Sequence, residues 1–173
     1  MAELPNDIRT LRLRVDLVDR ETRSPGPLPV ASGEGPVPSG RLLGAAAVEY
    51  LDRRDGEWWP LAELPVLYLS AEEFRSLSGQ LEGFLRGAVA GFAWQCGEGG
   101  ALGLQLGAAA EPPGGPLVLE VGIDLSLFLA EAGQAPLRRG AELALFRWLA
   151  TRPAAVAFAE ALRREGEALL GGD

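Results

Sequence analysis

The sequence predicts an α+β fold: a mainly antiparallel sheet of about six to seven strands covered by two helices, at about 71–86 and 153–170. Three observations carry this reading. Leu117, Leu119, Val121, Ile123, Leu125 and Leu127 fall on every second residue, with Val118, Glu120, Gly122, Asp124 and Ser126 between them. That period places an apolar and a mostly polar row on opposite faces of a long strand over 117–129. Second, Ser70-Ala71-Glu72-Glu73 has the form of a capping box, and Phe74, Leu77, Leu81, Phe84 and Leu85 follow at helical spacing. Third, the other apolar runs alternate and are separated by short Gly- and Pro-bearing turns, as in a meander.

Taken in order, Leu11, Leu13, Val15 and Leu17 alternate with Arg12, Arg14 and Asp16, which makes a half-exposed strand. Residues 20–40 hold five prolines, from Pro25 to Pro38, and several glycines. Prolines remove ladder donors and glycines raise the entropic cost of order, so a flexible loop within a single domain 1–173 is expected. Leu42–Leu51 and Glu57–Leu69 form a hairpin about Asp55-Gly56, where glycine accepts a positive φ. Pro60 and Pro65 interrupt its second arm, so Val66–Leu69 is set apart as a short strand. Gly79 and Gly83 weaken the first helix and are expected to let it lie close on the sheet.

Phe92, Trp94 and Cys96, then Leu102, Leu104 and Leu106, alternate on either side of Gly97-Glu98-Gly99-Gly100. With 117–129 they give three consecutive antiparallel strands. Residues 140–150 suit a strand or a helix; the break at Thr151-Arg152-Pro153 favours a strand, with proline opening the last helix. Trp58, Trp94 and Trp148 are expected to supply buried area. The sequence offers no usable internal repeat.

Composition narrows the function. The chain has 173 residues, 47% of them hydrophobic, and a formal net charge of −8. The charge argues against nucleic acid and against an anionic membrane surface, and favours a basic partner. The abundance of Ala, Gly, Leu and Arg suits a GC-rich bacterial gene. One cysteine permits no internal disulfide, no apolar run spans a bilayer, and the N-terminal stretch does not read as a signal peptide. A cytoplasmic protein follows as the expectation.

There is no histidine, which removes the usual general base near neutral pH, the His-activated nucleophiles and most zinc sites. Cys96, mid-strand beside Trp94, reads as a buried thiol. The Gly97–Gly100 loop lacks Lys-Ser/Thr and precedes a strand, so it is no phosphate loop. Asp16 with Asp19, and Asp52 with Asp55, show no calcium-loop spacing. Glu120 and Asp124 share the polar row of the central strand; beneath a helix they would need Arg75 or Arg163 as partners. No catalytic residue, cofactor or metal ligand is assigned.

The order of elements resembles the WapI-type immunity proteins that bacteria make against secreted toxins. The parts that carry it are the early strand with Trp58-Trp59, the capped helix at Ser70–Gly87, Phe92-Ala93-Trp94 opening a strand pair, the strand at 117–129, and FAEALRREGEAL at Phe158–Leu169. The resemblance covers roughly residues 42–170, and the insert at 20–40 departs from it. It implies a non-enzymatic protein that occupies the active surface of a basic toxin. The expectation is therefore an immunity or antitoxin-type protein, with Asp52, Asp55, Glu57 and Trp58 as the partner-binding residues. The alternatives are an acidic secretion chaperone and a carboxylate- and metal-dependent enzyme. Oligomeric state is not legible.

Overall fold

A computed structural model describes residues 1–21, 41–96, 101–109, 115–124 and 143–171. The expected loop at 20–40 falls outside these residues except for its first two. So do the 97–100 loop, most of the 111–115 turn, and the end of the long strand at 125–129.

The chain runs β1 (Ala2–Pro5), β2 (Leu11–Glu21), β3 (Arg41–Leu51), β4 (Trp58–Ser70), α1 (Ala71–Leu85), β5 (Gly91–Gln95), β6 (Leu102–Ala108), β7 (Leu117–Asp124), β8 (Leu143–Ala150) and α2 (Arg152–Leu170). The class is α+β and antiparallel, but the expected single sheet is two. One has the order β1-β2-β3-β4 and the other β5-β6-β7-β8. The helix at α1 divides them: β4 ends directly in its cap, so the chain leaves the first sheet before β5 begins. Each half is thus a four-stranded meander closed by a helix. Strand β1 was not foreseen, because four residues with a terminal proline leave too short an alternation to see.

The alternation read in β7 gives its buried row, but in β8 the row of Leu145 and Leu149 is exposed while Trp148 and Ala150 are buried. Leu117, Leu119, Val121 and Ile123 of β7 are buried, and β7 pairs with β6 on one side and β8 on the other. The 140–150 segment is a strand from Leu143 onward. The second hairpin arm does not split at Pro65: Trp58–Ser70 is continuous. Its prolines coincide with irregular pairing. Pro60 faces Glu49 at one register shift, and Pro65 falls at the other, between the Gly44–Leu67 and Ala46–Leu64 pairs. A bulge tolerates a residue without a ladder donor.

One apolar cluster joins all ten elements, from Ala2 and Leu4 to Phe158 and Leu162. Trp94 and Trp148 are buried in it; Trp58 is only half-buried. The helices are antiparallel. Arg152 Nη1, opening α2, donates to the Leu85 carbonyl at the end of α1 at 3.0 Å, where a cation suits the helix dipole. Near the other end, a Cβ added at Gly166 would land inside the Phe74 ring. Close approach therefore belongs to Gly166. Gly79 and Gly83, expected to let α1 lie close on the sheet, have nothing within 4 Å of an added Cβ. Helix α2 packs on β1, β2 and β3, and α1 on β4 and β5, so the second half's helix covers the first half's sheet. Among the described residues no helix is long and apolar enough to cross a membrane.

Candidate functional site

The residues singled out from the sequence lie at the β3–β4 turn. Leu51 pairs with Trp58 and Tyr50 with Trp59 across the hairpin. The turn closes through Asp52 N–H to Glu57 O and Gly56 N–H to Asp52 O, both 2.8 Å. Gly56 has φ +77°, which a Cβ would oppose. Two of the carboxylates are spent locally. Asp52 Oδ1 accepts from the Arg54 amide and Asp55 Oδ1 from the Glu57 amide, both at 2.9 Å, the Asx geometry that favours aspartate in turns. Each keeps a second oxygen for solvent or a partner. Glu57 is exposed, as are Arg53 and Arg54.

Trp58 is held from behind. The Arg12 guanidinium lies 4.1 Å from its ring centroid, within cation–π range. That arginine belongs to an ion network on the outer face of the first sheet. Arg12 Nε contacts Glu49 at 2.6 Å and its Nη1 contacts Glu3 at 2.8 Å. Arg14 reaches Glu49 at 3.1 Å and Asp16 at 3.3 Å. Glu49 is only 5% exposed, and two guanidiniums enclose it, as a buried carboxylate requires. The alternation of β2 placed Arg12 and Arg14 on one face, but their partner lies on β3, at a sequence distance no local pattern reports.

The freer aromatic is Trp59, 47% exposed, opposite Tyr50, which is also exposed. Both lie on the row that is buried further along the sheet, at Val48 and Ala62. The row simply outruns the core at the hairpin end. The structure thus brings Asp52, Asp55, Glu57 and Trp58 together and adds Tyr50 and Trp59.

The outer face of the second sheet is different. One cross-strand row reads Ala93, Gln105, Glu120, Arg147; its neighbours read Gly91, Gly107, Val118, Leu149 and Gln95, Gly103, Gly122, Leu145. Two shallow depressions of about 400 and 500 Å³ lie over these rows. An added Cβ at Gly107 meets nothing within 4 Å, and at Gly103 one carbonyl oxygen at 4.0 Å. Packing therefore does not impose glycine at either position. Glu120 faces this open surface opposite Arg147, so the case of a covering helix does not arise for it. Arg163 is engaged elsewhere, with Glu82 and Glu167, each at 3.2 Å.

Cys96 is buried and its thiol donates to the Tyr68 carbonyl at 3.3 Å. Among the described residues no three Asp, Glu, His or Cys side chains gather as a metal site. Comparison of the chain with family models, curated proteins and solved structures returns no match.

Proposed function

We propose that this chain is a non-enzymatic cytoplasmic binding protein of the immunity or antitoxin type, which neutralises a basic protein partner by surface complementarity at the β3–β4 hairpin end. The observation that carries the reading is the exposed Tyr50–Trp59 cross-strand pair beside the Asp52–Glu57 turn. Tyr and Trp supply contact area at small entropic cost, and they dominate interface energetics. The turn is preorganised by its two Asx bonds, and Trp58 is braced by Arg12. Little ordering remains to oppose association. The net charge of −8 steers a basic partner toward the surface in general; the aromatic pair decides where it docks.

The test is co-expression with a basic product of the neighbouring gene, followed by purification of the pair and a growth-protection assay. A stable complex and protection are expected. Trp59→Ala should weaken the complex by about thirtyfold, the range of an aromatic interface anchor. Glu57→Lys should slow association, most at low salt. Failure of the pair to associate, together with loss of growth protection, refutes the proposal. So does a complex indifferent to Trp59→Ala.

A further inference from the structure

Strand β5 is an edge: among the described residues it pairs only with β6. The pairing fixes which of its backbone groups are occupied. Cys96 N–H donates to Leu102 O at 2.8 Å, in line with the Trp94–Leu104 and Phe92–Leu106 pairs. In an antiparallel ladder the bonded pairs alternate, so 92, 94 and 96 face β6. Gly91, Ala93 and Gln95 then direct their N–H and C=O groups outward. Among the described residues these groups meet no other backbone partner. Their side chains are no obstacle, since a hydrogen, a methyl and one exposed amide flank the edge.

A groove of about 420 Å³ runs between this edge and α1. Ala93 and Gln95 line one side; Glu72, Glu73, Ser76 and Gln80 line the other. The helix residues recur at three- and four-residue spacing, so they form one stripe along the groove. The stripe is polar and acidic. Glu72 is exposed, and Glu73 gives one carboxylate oxygen to the Ser70 amide while its other is uncommitted to that bond. Arg75 of the same helix is exposed but does not line the groove.

We infer that the groove between β5 and α1 binds an extended segment of a basic protein, which adds to the second sheet as a fifth strand beside β5. The main chain of the segment pairs with Ala93 and Gln95, and alternate side chains face the helix stripe, where lysine or arginine meets Glu72. This is strand addition: backbone bonds give affinity and the flanking wall selects sequence. The site is separate from the hairpin end and does not depend on the function proposed for it.

The test titrates a fluorescein-labelled decapeptide of five Val-Lys repeats against the full chain by anisotropy. Amide hydrogen exchange is then read by NMR with and without peptide. Saturable binding is expected, with exchange at Ala93 and Gln95 slowed about tenfold or more. Ala93→Pro removes an outward donor and leaves the β6 ladder intact; it should abolish that protection at an unchanged melting temperature. Glu72→Gln, which keeps shape and removes charge, should weaken binding by about threefold or more, and Trp59→Ala should not change it. No binding at about 1 mM peptide, or binding with no protection at Ala93 and Gln95, overturns the inference. So does protection confined to residues 52–57.

Discussion

The two halves of the chain share one plan and spend their residues differently. Each is a meander of four strands whose last strand enters a helix through a hydroxyl cap, Ser70 in the first and Thr151 in the second. Counted from the cap, buried residues recur at the same offsets: Phe74 and Ala155, Leu77 and Phe158, Leu81 and Leu162. Yet β4 has 13 residues against 7 for β6. The first sheet covers its outer face with the Arg12–Glu49–Arg14 network; the second sets Gly91, Gly103, Gly107 and Gly122 there, beside Glu120 and Arg147. The helices do not follow the halves: α2 lies on the first sheet, while α1 lies on β4 and β5, one strand of each sheet. A meander with one apolar face needs a cover, and for the first sheet the cover comes from the other half. The lesson is that the repeated plan fixes the core, while the outer faces are free to diverge.

The sharpest way to break this comparison sets a buried glycine of the first sheet against a half-exposed one of the second. An added Cβ at Gly44, in β3 of the first sheet, would strike the Asp16 carbonyl oxygen of β2 and crowd Leu17. Neither strand can yield without disturbing the bulged register beside it. Gly44→Ala should destabilise the fold by about 3 kcal/mol or more. Gly103→Ala, on the open face of the second sheet, should change stability by less than about 0.5 kcal/mol. Urea unfolding of both variants checks the contrast. Equal losses would mean that the outer face of the second sheet is as tightly packed as the buried row of the first.

The helices offer the next contrast. Gly166→Ala drives a methyl group into Phe74, which is 2% exposed and has no room to swing aside. The overlap should outweigh the gain in helix propensity, which is about 1 kcal/mol, and leave a net loss of about 2 kcal/mol. Phe74→Leu in the same chain should recover part of it, as a double-mutant cycle would show. Gly79→Ala, with open space around it, should instead stabilise by up to about 1 kcal/mol. Melting temperatures of the four variants decide whether Gly166 is the contact point between the halves.

What could be read from sequence follows the range of the signal. Both helices and the Ser70 cap were visible, because a cap and an apolar stripe act within a few residues. Period-two alternation likewise gave β7 and the strands around it. The division into two sheets was not visible, because alternation marks a face and says nothing about the neighbour. The repeated plan also escaped. Its traces are the cap hydroxyls and three buried offsets, occupied by Phe, Leu and Leu in one half and Ala, Phe and Leu in the other. Gly79 and Gly83 drew attention as helix glycines, whereas Gly166 is special only through Phe74, some ninety residues earlier. At the candidate site the turn and its tryptophans were legible, but not which indole was free. That was decided by Arg12 reaching Trp58 from two strands away.

The caps give the smallest effect and the finest comparison. Ser70 Oγ accepts from the Glu73 amide at 3.1 Å, and a Glu73 carboxylate oxygen accepts from the Ser70 amide at 2.8 Å. Two otherwise unpaired helix donors are satisfied reciprocally. Thr151 has the first bond alone, to the Ala154 amide at 3.3 Å, and proline at the start of α2 removes one donor that would need a partner. Ser70→Ala removes the hydroxyl that accepts from the Glu73 amide, while the amide at position 70 still donates to the Glu73 carboxylate, so it should cost about 1 kcal/mol. Thr151→Ala loses one long bond and should cost about 0.5 kcal/mol. Ser70→Thr retains the hydroxyl and should recover most of the first loss. If Thr151→Ala proves the costlier change, α2 and not α1 is the more heavily tied to its strand, and the ranking of the two halves by local order reverses.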